Sequence, residues 1–290
     1  MRAGRIAILA SAYVAYVAVW SYISLMRLFS LNAFIFDLGV NMQFAWDAVL
    51  HATLGSVLRT LAYKGIVYVV APVFLTGSYP VVLIFQSAFI GLAVFPLYGI
   101  ARHYLRSEVP ALLIATSYLI YFPLAGVNWY DAHYQAFFPT LFILGYYFYV
   151  KGRALPSVIS MALSGITHYP YTVFPLMFAL MLLVGRNRRR DLRVSVPLLV
   201  FASFIFVLNF ALSGTTGATA GTVGGFSLSY AEVPADLYTA ILILLPLLFL
   251  PLFSRWSAFL LPYVALLALT SYPTFRYPAV FLFQYPALFV

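Results

Sequence analysis

Phe34-Ile35-Phe36-Asp37-Leu38-Gly39-Val40-Asn41-Met42-Gln43-Phe44-Ala45-Trp46-Asp47 follows the first long apolar run and holds two of the seven acidic residues in the chain. If the stretch is helical, Asp37 and Asn41 share one face and Gln43 and Asp47 share another, because side chains four apart are neighbours on a helix. Phe34, Phe36, Phe44 and Trp46 surround these polar groups. Polar residues between aromatics at a membrane edge fit a loop with a polar task. They fit equally an interfacial amphipathic helix that anchors the loop and does no chemistry.

Working outward, the composition sets the class. The 290 residues are 64% hydrophobic and 8% charged, too few charges to solvate the surface of a soluble domain. We expect an all-α, polytopic membrane protein, multi-pass in the cell membrane, with one integral domain over 1–290. A span takes about 20 apolar residues, which leaves room for about eight to ten membrane segments. The run from Ile6 to Met26 after Arg2 and Arg5 is too long for a signal peptide and is expected to be an uncleaved first span. Residues 27–64 then form a long first outer loop with juxtamembrane helices. Val81 to Ala101 is a full span. Ile66 to Leu75 is a half-span or loop helix, and Leu155 to Val184, interrupted at His168-Tyr169-Pro170, is expected to be two short half-helices. Residues 213–236 form a Gly/Thr/Ser-rich outer loop. The apolar stretch from Pro278 to Val290 is shorter than a span, and the natural chain is expected to continue beyond it.

Charge orients this layout. Of the 16 basic residues, twelve fall on one side, including Arg5, Arg102, Lys151, Arg153 and the run Arg186 to Arg193, and four on the other: Arg27, Arg59, Lys64 and Arg276. The basic-rich side is expected to be cytoplasmic, with the N-terminus on it. Asp37, Asp47, Asp131, Glu232 and Asp236 all fall on the opposite face, which is therefore expected to be the working face. The net charge of +9 sits in short loops between spans and does not suggest nucleic-acid binding. No Walker motif and no dinucleotide fingerprint is present, and there is no cysteine for thiolate chemistry.

Three further groups carry possible chemistry. Asp131-Ala132-His133 lies at an outer span end beside Asn128, Trp129 and Tyr130. A carboxylate and an imidazole two residues apart can share a metal or act in proton transfer; they fit equally a wet loop whose aromatics belt the interface. His168 is expected to be a neutral imidazole satisfying carbonyls freed by Pro170. Arg276, between tyrosines, suits a phosphate or an ordinary lipid headgroup.

Three segments together resemble a known family. Asp37-Leu38-Gly39 followed by Gln43 and Trp46 resembles the D-x-G-x-x-x-Q signature of the polytopic domain-of-unknown-function family 2079. Gln86-Ser87-Ala88 through Phe95 to Arg102 resembles its second-span motif, and Asp131-Ala132-His133 its D-x-H motif. Two departures stand out: Ala62-Tyr63-Lys64-Gly65 replaces a His-containing motif, and Thr167-His168-Tyr169 replaces a Lys-Glu pair. The family looks like a branch of the GT-C glycosyltransferases. The resemblance implies GT-C-like topology and transfer of a sugar from a polyprenyl-phosphate donor, with membrane lipid around it and a divalent metal as a candidate cofactor. It implies Asp37 as general base, with Asp131 and His133 facing it as further catalytic residues; these three would also be the ligands of any metal. Asn41, Gln43, Trp46, Arg59, Lys64 and Arg276 are the expected substrate-binding residues. The rival classes are a transporter or lipid flippase, suggested by the broken segments at 66–80 and 155–184, and a non-catalytic scaffold.

Overall fold

The computed structural model describes residues 2–33, 35–185, 188–213, 233–247, 250–254, 257 and 261. Arg276, most of the loop at 213–236, Arg186 and the apolar stretch after 278 lie outside the described residues.

The chain is an all-α membrane protein. Helix α1, Arg2–Phe29, is followed by α2, Ile35–Leu50, and α3, Leu54–Lys64. Thr53 caps α3 through a reciprocal pair of bonds: its Oγ1 accepts from the Ser56 N–H at 3.2 Å, and Ser56 Oγ accepts from the Thr53 N–H at 2.7 Å. Helix α4, Val67–Phe74, leaves α3 at a 96° bend across Gly65-Ile66. Helices α5, Tyr79–Gly91, and α6, Val94–Leu105, run together as one apolar span from Tyr79 to Leu105. Helix α7, Glu108–Leu119, bends by 43° into α8, Pro123–Trp129, where Pro123 starts the new helix because its fixed φ and missing N–H suit a first turn. After a 3₁₀ turn at Tyr134–Phe137 come α9, Phe138–Val150, α10, Ala154–Gly165, a second 3₁₀ turn at Tyr169–Thr172, and α11, Val173–Leu183. Helix α12 spans Arg188–Ser213 and α13 spans Val233–Leu244.

The eight to ten segments expected from composition take a more broken form. Among the described residues three helices are long and apolar enough to cross a bilayer: Gly4–Phe29, Tyr79–Leu105 and Arg189–Leu212. The bent pairs α3–α4 and α7–α8 bring the number to five if each is one span, and α10, α11 and α13 are shorter apolar helices. Among the described residues the breaks fall at glycine and proline, since neither continues a helix well. The break expected between 155 and 184 is present between α10 and α11.

Close approach of the helices depends on small residues, as membrane packing requires. A Cβ on Gly91 of α5 would lie 2.9 Å from a Tyr16 ring carbon of α1, and one on Gly145 of α9 would lie 2.7 Å from Met161 Cγ of α10. The ends of α1 mark two faces. At its start Arg5 pairs with Glu108, which Arg102 also meets at 3.0 Å, so the starts of α1 and α7 and the end of α6 share one end. At its finish Arg27 meets Trp129 at the end of α8, with the Arg27 Cζ 4.3 Å from the ring centroid. A core of Leu28, Leu38, Met42, Ile66, Phe74, Tyr134 and Phe137 lies beneath that second end.

Candidate functional site

Helix α2 turns Leu38, Asn41, Met42, Ala45 and Ala48 inward at three- and four-residue spacing, and leaves Val40, Gln43, Trp46 and Asp47 exposed. Asn41 is 3% exposed and uses both ends of its amide. Its Nδ2 donates to the Asp37 carbonyl at 3.0 Å and to the Ala132 carbonyl at 3.2 Å, while its Oδ1 accepts from Lys64 Nζ at 3.2 Å. Its own carbonyl accepts from the Tyr134 hydroxyl at 2.6 Å. A single amide thus ties α2 to the end of α3 and to the connection after α8.

That connection, Tyr130 to His133, is buried throughout. Backbone polar groups without helical partners need others when water is excluded. Gln86 on α5 supplies them: its Nε2 donates to the carbonyls of Val127 at 3.2 Å and Tyr130 at 3.4 Å, and its Oε1 accepts from the His133 N–H at 2.9 Å. The Tyr130 hydroxyl donates to Asp37 Oδ2, joining the two acid-bearing segments.

The structure therefore brings Asp37 to the Asp131-Ala132-His133 segment, and their ionisable groups act on one another. Burial raises the Asp131 carboxyl to about 6; Arg27 opposes this and the Asp37 charge adds to it. Asp131 is 2% exposed, and its Oδ2 has no hydrogen-bond partner among the described residues. Burial also pushes His133 down to about 4, with the Lys64 charge contributing, so the ring is neutral near pH 7. His133 Nδ1 lies 2.6 Å from the Asp131 carbonyl oxygen. A carbonyl only accepts, so Nδ1 carries the proton and Nε2 presents a lone pair. Lys64 Nζ sits 5.6, 5.2 and 5.5 Å from the ring centroids of Phe44, Tyr63 and Tyr134. The ring of His168 packs at 5.1 Å from Tyr63 and 5.9 Å from Tyr171, within electrostatic range of Lys64 and His133.

Several expectations need correcting. Asp131-Ala132-His133 is not a wet loop; it is sealed against α2 and α5. Gln43 donates to Asp47 Oδ1 at 2.9 Å on the exposed side of α2, and with Trp46 it faces away from the cluster. Arg59 is exposed on α3 and does not join the cluster. No group of three or more His, Asp or Glu side chains among the described residues is arranged to hold a metal, so Asp37, Asp131 and His133 do not form a metal centre here. His168, expected only to satisfy carbonyls at Pro170, belongs to the Lys64 side of the cluster. Gln86 and Tyr130 figure in the sequence only as part of a second-span motif and as an interfacial aromatic, and Tyr134 and Arg27 carry no role there. A glutamine buried inside an apolar span is the signal that would have found the first of them, because such a group is costly unless bonded.

The acid pair has a measurable pH signature. The folded Asp131 carboxyl binds its proton more tightly than an unfolded one, about 6 against 3.8. The folded state therefore holds more protons between those values, and this group's effect is to lower stability as pH rises from about 4 to about 6. Asp131→Asn removes the effect. The stability of the variant relative to the parent should rise across that window by up to about 3 kcal/mol, and stay level above it. Thermal midpoints in detergent at pH 4.5 and 7.5 measure this, and a pH-independent difference would contradict it.

Known proteins add one finding. A family model described as a predicted membrane protein (DUF2079) matches residues 27–239. No curated protein and no solved structure matches the chain.

Proposed function

The chain belongs to the DUF2079 family of predicted membrane proteins, and from that premise we propose that it is a GT-C-like transferase moving a sugar from a polyprenyl-phosphate donor at the Asp37 end of the bundle. The observation that carries this is the meeting of Asp37 with the buried Tyr130–His133 segment, 93 residues away in sequence at the Tyr130 bond. Membrane packing alone asks for no such convergence, and acids buried in a membrane protein are by default functional.

In the proposed step an acceptor hydroxyl oxygen attacks the anomeric carbon. The bond from that carbon to the phosphate oxygen breaks, and its electron pair leaves with the lipid phosphate. Asp37, half-buried and reachable, takes the hydroxyl proton. Lys64 is the cation for the departing phosphate, acting in a water-poor setting where a charge is effective. Asn41 holds Lys64 and the backbone of Asp37 in one frame, and the neutral, buried His133 backs that frame. The Gln43, Trp46 and Arg59 side chains have no part in this step.

The test is donor turnover by the purified protein in proteoliposomes. Polyprenyl-phosphate glucose and mannose would be supplied in turn, with membrane extract as the source of acceptors. Release of free polyprenyl phosphate is expected with one of them; unchanged donor in every case would refute the proposal. One observation favours a transporter or flippase instead. The two helix breaks meet, with the Ile66 N–H donating to the Ile166 carbonyl at 3.0 Å beside Lys64 and His168, and discontinuous helices often line transport sites. Movement of labelled donor across the same vesicles without chemical change would support that class.

A further inference from the structure

Arg27 stands at the rim of the acid pair and takes no part in the proposed transfer step. It lies in the last turn of α1, where the negative end of the helix dipole favours a cation. Its Nη2 donates to the Asn32 carbonyl at 3.1 Å, and its Cζ lies 4.3 Å from the Trp129 ring centroid. Asp131 is within its electrostatic reach. A guanidinium stacked on an indole directs its N–H groups sideways in its own plane, and five donors in a planar fork suit phosphate oxygens.

The surroundings give the kind of ligand. Trp129 is 40% exposed, as suits an indole at the headgroup level of a bilayer. Val19, Tyr22, Met26 and Phe29 form one exposed helical stripe on α1 next to Arg27, at 54%, 65%, 52% and 71% exposure. On a helix of spanning length that stripe faces acyl or isoprenoid chains. Among the described residues, Lys64 and Arg59 are less well placed for a phosphate arriving beside Trp129. Lys64 is enclosed among three rings and bonded to Asn41, and Arg59 is exposed on α3 away from the acids.

We infer that Arg27, held on Trp129, binds the phosphate of a membrane lipid that reaches the site sideways along the exposed face of α1. The inference rests on the transferase proposal only in taking that lipid to be the donor. The lipid meets Arg27 first, and Lys64 takes over the phosphate as the sugar leaves.

The experiment measures binding rather than turnover. Geranylgeranyl phosphate, geranylgeraniol and inorganic phosphate are titrated separately into the full-length protein in detergent, followed by calorimetry. The parent protein should bind the amphiphilic phosphate well above either half alone. Arg27→Ala should weaken that binding roughly tenfold or more, the loss expected for a charge-assisted contact. Arg27→Lys, which keeps the charge without the fork, should fall between, and it preserves the test if the alanine variant does not fold. Trp129→Leu should lose part of the affinity. Equal binding by parent and both Arg27 variants would overturn the inference. Inorganic phosphate binding as tightly as the amphiphile would also overturn it, because the ligand would then be a soluble anion, and so would equal binding of the neutral alcohol. Asp37→Asn should bind like the parent while failing to turn over donor. Unchanged binding in the Arg27 variants beside a dead Asp37→Asn would remove the lipid site and leave the transferase proposal standing; the reverse pattern would do the opposite.

Discussion

Asp37→Asn is expected to abolish donor turnover, by at least a hundredfold and up to about ten-thousandfold, the range a positioned general base contributes. In barrier terms that is about 3–5 kcal/mol. The substitution is clean because asparagine keeps the size, and its side-chain oxygen still accepts from the Tyr130 hydroxyl that joins Asp37 to the second segment. The Asn41 contact to residue 37 uses the backbone carbonyl and is untouched. The variant should therefore insert, fold and elute as the parent does, and only proton acceptance is lost. Asp47→Asn is the matched control: that carboxylate is exposed on the same helix and meets Gln43, away from the cluster, so its loss should leave turnover within about twofold. Equal losses in both variants, or none in Asp37→Asn, would remove the carboxylate from the chemistry.

The second large effect concerns structure. Gln86→Leu keeps the approximate volume but strands the His133 N–H and the Val127 and Tyr130 carbonyls, which Gln86 serves at 2.9, 3.2 and 3.4 Å. Each orphaned buried group costs about 1–3 kcal/mol, partly recovered by local relaxation, so a net loss of about 3–5 kcal/mol is expected. For a domain of this size that lowers the thermal midpoint by roughly 10 °C. Turnover should fall further than stability alone explains, because a shift of about 1 Å in a positioned group can lower rate a hundredfold. The neighbour is the contrast. Ser87 is equally buried, and its Oγ has no hydrogen-bond partner among the described residues, so Ser87→Ala should be near neutral or slightly stabilising. A midpoint in Gln86→Leu within about 2 °C of the parent would show that the segment is held by other means.

Much of this was legible in the residues. The four-residue spacing that pairs Asp37 with Asn41 and Gln43 with Asp47 holds in α2. The first span, the span from Tyr79 and the breaks near 66 and 166 follow from apolar length and from glycine and proline. Spacing tells which residues share a face, however, and not which face turns inward. In a soluble helix the outward face is polar and announces itself. Here the outward face of α2 carries Val40 and Trp46, exposed at 48% and 42%, so periodicity does not separate the two sides. Spacing therefore does not show that Gln43 and Trp46 lie on the exposed side of α2, away from the cluster. The burial of Asp131 was hidden for another reason. It depends on Gln86 and Asn41, 47 and 91 residues away from their partners in the loop, and no local pattern reports a bond over that distance.

The elbow between α3 and α4 also governs when the site comes into being. Its freed Ile66 N–H is satisfied by Ile166, and its Ala62 carbonyl accepts from Asn209 Nδ2 at 3.1 Å, 147 residues later in the chain. A chain leaves the ribosome from its N-terminus. The elbow is therefore made early but acquires its final partners late, after α10 and then α12 have been delivered to the membrane. Until then the acids and the lysine are held by bonds within residues 37–134, among them Tyr130 to Asp37 and Asn41 to Ala132, without the later helices. Truncation before α12 would thus release a protein with every cluster residue present and the elbow unsecured, and completion of the bundle is what fixes the elbow beside the cluster.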